Sequence, residues 1–225
     1  MSDSSPAPDW LRPFETKEER FTHGDTTWTL TLPSNSEDLF DAEAFESDER
    51  LPYWADLWPS AKRLARHILD GLVAERDAIE LGSGVALVSM ALKACGASVV
   101  ATDYEANALR FAELNAARNA LGSLRTRVLD WRDPPKDMCA PLVVAADVLY
   151  ERRNAQAIAS LLPAIVAPGG RALLADPRRP WRAELIERLQ RAGWSAMETQ
   201  LGAELGPSGK EIEIVLLECR RIHRD

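Results

Sequence analysis

Apolar positions in this chain follow two alternating rhythms, one helical and one of period two. Leu64, Ile68, Leu69 and Leu72 share a face at helical spacing, which predicts a helix over 59–72 with Gly71 near its end. Ala78-Ile79-Glu80-Leu81 reads as a short buried strand closed by Gly82-Ser83-Gly84. A helix over 85–94 follows, with Gly96 suited to its C′ position. The same reasoning predicts strands over 98–102, 127–129, 142–146, 171–175 and 212–217, and helices over 105–119, 154–166 and 182–191. Upstream, TTWTLTL at 26–32 alternates threonine with apolar or aromatic side chains, a further strand. His23-Gly24-Asp25 is placed to turn a hairpin from the segment before it. No internal repeat is visible.

Strands alternating with helices at this spacing predict βαβ units. The expected fold is α/β: a doubly wound, mostly parallel seven-stranded sheet with a small N-terminal extension. Residues 1–13 are expected as a loose tail, 14–50 as a hairpin plus acidic segment, and 51–225 as the main domain. Ligands in such sheets bind beyond the carboxyl ends of the strands, at the topological switch point.

Composition narrows the choices. With 225 residues and 46% apolar content the chain can bury one full core. A net charge of −8 argues against nucleic acid and suits a cationic partner, such as a lysine-rich protein surface. Cys95, Cys139 and Cys219 are scattered, as are His23, His67 and His223, so no metal site is expected. No apolar run reaches the roughly 18 residues of a membrane span, and the first residues lack signal-peptide character, so cytoplasm is the expected compartment. Between positions 37 and 49 stand seven acidic residues, either a solvated helix face or an acidic lip for a basic substrate.

The chemistry concentrates at the expected strand ends. After the first, Gly82 and Gly84 permit a sharp turn and close approach of a ligand to a helix N-terminus. After the second comes Asp103, where a carboxylate can accept from ribose hydroxyls; a helix N-cap is the simpler reading. The third ends in Asp130-Trp131, suited to an adenine amino group and an apolar ring wall, a combination unusual in dehydrogenases. Leu87 also stands where G-x-G-x-x-G needs its last glycine. The fourth ends in Ala145-Ala146-Asp147, with Tyr150 close behind.

With these residues the chain resembles the class I (seven-β-strand) methyltransferases, and within them the family that includes several protein-lysine methyltransferases. The matching stretches are Pro52-Tyr53-Trp54-Ala55-Asp56-Leu57-Trp58-Pro59-Ser60, the turn from Glu80 to Ala86, Asp103, Leu129-Asp130-Trp131 and the D-x-x-Y motif from Asp147 to Tyr150. Asp176-Pro177-Arg178-Arg179-Pro180 looks like a segment of the electron-transfer-flavoprotein β-subunit lysine methyltransferases. The resemblance covers about residues 50–220 and implies a Rossmann-like methyltransferase fold using S-adenosyl-L-methionine, with S-adenosyl-L-homocysteine as product. It implies cofactor contacts from Trp58, Glu80, Gly82, Ser83, Gly84, Asp103, Tyr104, Asp130, Trp131 and Ala146. Asp147 and Tyr150 would face the acceptor. Ala86 departs from the pattern, standing where many relatives carry a third glycine.

Methyl transfer from a sulfonium relies chiefly on positioning. A lysine amine of pKa about 10.4 needs about 4–5 kcal/mol to reach its neutral form at pH 7, which desolvation and the sulfonium charge would reduce. Asp147 is expected to hold the incoming ammonium, with Tyr150 fixing it by hydrogen bonding or packing. The leading expectation is a protein-lysine N-methyltransferase. A small-molecule N-methyltransferase is the alternative, followed by a non-catalytic cofactor-binding module. Trp181 and Trp194 are expected to pack, and Arg178 and Arg179 either bind an acidic group of the substrate or are solvated.

Overall fold

The computed structural model describes residues 8–35, 39, 51–206 and 208–222. The acidic segment at 37–49, apart from position 39, lies outside them. Two strands, β1 (Thr16–His23) and β2 (Thr26–Pro33), form the N-terminal hairpin. Then come α1 (Pro59–His67), β3 (Asp77–Leu81), α2 (Leu87–Ala94), β4 (Ser98–Asp103), α3 (Ala106–Arg118), β5 (Arg125–Val128) and β6 (Ala140–Ala146). The chain continues through α4 (Arg152–Ile165), β7 (Val166–Asp176), α5 (Arg182–Arg191), β8 (Trp194–Leu205) and β9 (Glu211–Arg221).

The main sheet has seven strands in the order β5-β4-β3-β6-β7-β9-β8, parallel from β5 to β7 and antiparallel where β9 joins β7 and β8. The chain winds outward from β3 to β5, then returns to lay β6 on the other side of β3. The switch point therefore lies between the carboxyl ends of β3 and β6. Alternation along the strands feeds two cores. Ala78, Leu142, Val144, Leu173 and Leu216 pack against α1, α2 and α3, whereas Ile79, Val143, Ala145, Leu174 and Leu217 pack against α4 and α5.

The hairpin is joined to α3 by an unusual device. Asn115 and Asn119, one turn apart, each accept from a β2 backbone N–H and donate to a β2 carbonyl, at Thr31 (2.7 and 3.1 Å) and Thr29 (3.0 and 2.9 Å) respectively. Two side-chain amides thus replace a neighbouring strand and cover an edge that would otherwise stay unpaired. On its inner face, Phe21 stacks on its cross-strand partner Trp28 with ring centres 5.8 Å apart.

Several expectations shift. The loose tail expected through residue 13 includes a 3-10 turn at Asp9–Leu11, and Trp10 packs edge-on against Phe111 at 5.4 Å. The helix expected over 59–72 is α-helical only to His67, then widens into a π turn before Gly71 at φ 76°. The expected helix at 85–94 starts at Leu87, because Ala86 adopts a left-handed φ of 69°. It ends in a Schellman motif, Ala97 N–H bonding Leu92 O and Gly96 N–H bonding Lys93 O. The strand expected over 127–129 occupies Arg125–Val128. β8 has no counterpart in the sequence reading: apart from buried Trp194 and half-buried Ala196, Leu201 and Ala203 its side chains are polar or exposed, and pairing with β9 alone places it in the sheet. Among the described residues no helix is long and apolar enough to cross a membrane, and no cluster of metal-ligating side chains occurs.

Candidate active site

A cleft of about 530 Å³ opens at the switch point, within the range of small-molecule sites. All twelve residues singled out above line it: Trp58, Glu80, Gly82, Ser83, Gly84, Asp103, Tyr104, Asp130, Trp131, Ala146, Asp147 and Tyr150. The turn after β3 is built from left-handed residues, Gly82 at φ 63°, Gly84 at 49° and Ala86 at 69°. Its glycines are required by the protein itself. A Cβ on Gly84 would lie 2.9 Å from the Trp54 carbonyl oxygen, and one on Gly82 would lie 3.1 Å from the Trp131 ring.

Asp103 ties this turn to the next strand. Its carboxylate accepts from the Gly84 N–H at 2.8 Å and the Glu105 N–H at 3.0 Å. Glu105, not Asp103, is the N-cap of α3, so the simple capping reading is replaced by a link between two loops. Burial pushes Asp103 up to about 6 against the pull of these N–H donors. Glu80 does what the sequence did not suggest: its carboxylate accepts from the Ser89 N–H at 2.8 Å and from the Ser89 hydroxyl. It thereby caps α2 from β3, since Ala86 at the N-cap has no side chain for the task. Full burial pushes Glu80 up to about 8, with nearby Asp103 adding to the rise and the Ser89 bonds opposing it.

On the far wall the Asp130 carboxylate is forked by Arg132, with contacts of 2.7 and 2.8 Å. Trp131 Nε1 and Ser83 Oγ are buried without a hydrogen-bond partner among the described residues. Two orphaned polar atoms, two carboxylates and a ring wall fit a ligand bearing a ribose and an aromatic base.

At the other end, Asp147 sits at φ 59°, left-handed for a buried non-glycine residue. Its Oδ1 accepts from Arg179 Nε at 2.9 Å and its Oδ2 from the Ser60 hydroxyl at 3.3 Å. Burial raises its pKa, and Arg179 and Ser60 oppose the rise. The side chain is only 3% exposed, so the ammonium-holding role expected for Asp147 meets a carboxylate whose two oxygens are already engaged. Ser60 and Arg179 were not read from the sequence as its partners, and nothing local to either marks them. Arg178 stays at the surface, as in the solvated reading, and pairs there with Glu198 at 3.1 Å. Three rings complete this end: Tyr53 packs edge-on to Tyr150 at 4.9 Å and to Trp58 at 5.9 Å, and Trp58 Nε1 donates to the Tyr53 carbonyl at 2.8 Å. Burial pushes the Tyr150 phenol up to about 12.

A profile described as lysine methyltransferase matches residues 52–191, more than half of the chain. The chain belongs to the lysine methyltransferase family. The family match begins at the Pro52–Ser60 segment and takes in all the cleft residues but Leu51, while the hairpin, β8 and β9 lie outside it. The chain is 30% identical over 132 residues to the electron transfer flavoprotein β subunit lysine methyltransferase of Danio rerio, covering 57% of this chain and 51% of that protein. It is 26% identical over 189 residues to the ribosomal protein L11 methyltransferase of Stenotrophomonas maltophilia (strain K279a), covering 80% and 60%. The chain thus spans about half to three-fifths of the length of these curated relatives. Among solved structures, a SAM-dependent methyltransferase of Methanosarcina mazei superposes with a TM-score of 0.58 at 16% identity, over 75% of this chain and 100% of that one. The chain therefore shares the class I methyltransferase fold that its resemblance implied.

Proposed function

We propose that this chain transfers a methyl group from S-adenosylmethionine to a nitrogen acceptor, and that the acceptor is a lysine side chain of a protein. The observation that carries this reading is the charge of the cleft. Asp56, Asp103, Glu105, Asp130, Asp147 and Glu151 line it against two arginines, Arg132 and Arg153. Such a cleft favours two cations, a sulfonium donor and an ammonium acceptor. Names of the relatives support a protein acceptor, since both act on proteins by name.

In this reading residues 51–225 form the transferring domain and residues 14–50 help choose the substrate. Asp103 accepts from the ribose hydroxyls, Asp130 and Trp131 meet the adenine, and Ser83 and Tyr104 flank them. Glu80, Gly82 and Gly84 would line the methionine end, and Trp58 and Ala146 would contact the cofactor as well. When bound, the cofactor supplies an electrophilic methyl carbon. The protein supplies alignment and exclusion of water, which lowers the acceptor amine's pKa. Tyr150, at about 12, remains a phenol at neutral pH, so it orients the amine through a hydrogen bond and does not act as a base. Asp147 contributes the negative end of the acceptor site.

The test is methyl transfer from isotopically labelled S-adenosylmethionine into an extract, with Asp147→Ala as control. Label in a discrete protein band, recovered as methyl-lysine and absent with the variant, is the expected result. Label confined to small molecules would replace the protein acceptor with a small amine. Cofactor binding without any transfer would leave a binding module and refute the enzyme.

A further inference from the structure

Arg179 follows β7 and returns its guanidinium to Asp147 at 2.9 Å, while its central carbon lies 5.9 Å from the centre of the Trp58 ring. A carboxylate together with an indole face is the environment that binds a primary ammonium. Asp147 and Trp58 both line the cleft, at the end given above to the acceptor. The Arg179 side chain is 33% exposed and that of Asp147 3%, so the arginine has solvent to move into and the carboxylate does not. A second carboxylate waits beside it. The Arg179 N–H donates to Asp176 Oδ1 at 2.7 Å, and Asp176 Oδ2 is buried with no hydrogen-bond partner among the described residues. Asp147 and Asp176 end neighbouring strands joined by the Asp147 N–H to Ala175 O bond at 2.9 Å. Arg179 therefore touches two carboxylates, Asp147 through its guanidinium and Asp176 through its backbone N–H, and only Asp147 uses both oxygens.

We propose that Arg179 is a positioning residue that holds the acceptor's place: the incoming amine displaces its guanidinium from Asp147 and Trp58, and the guanidinium moves to Asp176. This rests on the reading of the acceptor as an amine. No bond is made or broken; one cation replaces another at Asp147, and the buried carboxylate is never left unpaired. Competition with Arg179 then sets the affinity for the acceptor and rejects neutral molecules, which cannot take over the ion pair.

The full chain, saturated with S-adenosylhomocysteine, is titrated with n-butylammonium as a lysine side-chain analogue and followed by ligand-observed NMR. Arg179→Ala is expected to bind n-butylammonium about five-fold more tightly than the unaltered chain, through removal of the competitor. Asp176→Asn removes the second resting place and is expected to bind it about three-fold more weakly. S-adenosylhomocysteine affinity stays unchanged in both. Equal or weaker n-butylammonium binding by Arg179→Ala, with homocysteine-product affinity and melting temperature retained, overturns the proposal. Should Arg179→Ala not fold, Asp176→Asn decides: unchanged n-butylammonium affinity overturns the exchange. Protein methylation is measured separately, so its absence would strike the proposed function while the order of amine affinities still decides the role of Arg179.

Discussion

Replacing Gly84 by alanine isolates how the glycine turn is held. At φ 49° the position is left-handed, and a side chain there costs about 1–2 kcal/mol. The new Cβ would also stand 2.9 Å from the Trp54 carbonyl oxygen, a backbone atom that cannot rotate away. Forced contacts of this kind cost about 1–3 kcal/mol. Reduced freedom of the unfolded chain returns about 0.4–1 kcal/mol. The balance is a loss of about 3 kcal/mol, or about 6–12 °C in melting temperature for a chain of this size. Gly24→Ala is the matched control: its φ is 53°, but nothing lies within 4 Å of its added Cβ. It should therefore lose about 1 kcal/mol or less, from strain alone. Chemical denaturation of both variants gives the comparison, and calorimetry adds a second readout. Because the Gly84 N–H is held by Asp103, moving the turn should also weaken S-adenosylhomocysteine at least about tenfold, or about 1.4 kcal/mol. If Gly84→Ala were no less stable than Gly24→Ala, the Trp54 contact would not constrain the turn and the reasoning would fail.

Glu80 titrates at about 8 in the folded chain against an ordinary 4.5. Between these values the folded chain keeps a proton that the unfolded chain has lost, so stability should fall as pH rises from about 4.5 to about 8. Asp103 and Asp176, both at about 6, add to the fall in the lower part of that window. Glu80→Gln should flatten the slope, and equal urea-midpoint slopes for variant and unaltered chain would contradict the assignment. Asn115→Ala strips the buried Thr31 N–H of its partner and should destabilise by about 2–4 kcal/mol, whereas a change below about 0.5 would mean that the amide does not support the hairpin. Asp103→Ala should weaken cofactor binding at least about tenfold while the chain stays folded, and calorimetric titration showing unchanged affinity would refute the ribose role.

The order of helices and strands was legible because it rests on spacing. Both sheet faces are buried, so short unbroken apolar runs mark the central parallel strands, and helical stripes mark what covers them. Asp103, Asp130 and Asp147 were legible for the same reason, since register puts a residue just past a strand's end at the switch point whatever its contacts. β8 was not: it pairs with β9 alone at the sheet edge, and the exposed run Met197-Glu198-Thr199-Gln200 breaks any apolar pattern along it. Functions of particular carboxylates were legible least. Glu80 looked like a ligand contact and also caps α2, through Ser89 nine residues on. Asp147 looked available to an ammonium, yet is held by Ser60 and Arg179, 87 and 32 residues away in the chain. Asn115 and Asn119 gave no sign that they would pair with the edge of a strand 84 to 90 residues earlier. Periodicity and register are properties of the chain with its near neighbours. The partner of a buried polar atom is chosen by whichever donor the packed elements bring within about 3 Å of it, and only the tertiary structure decides that.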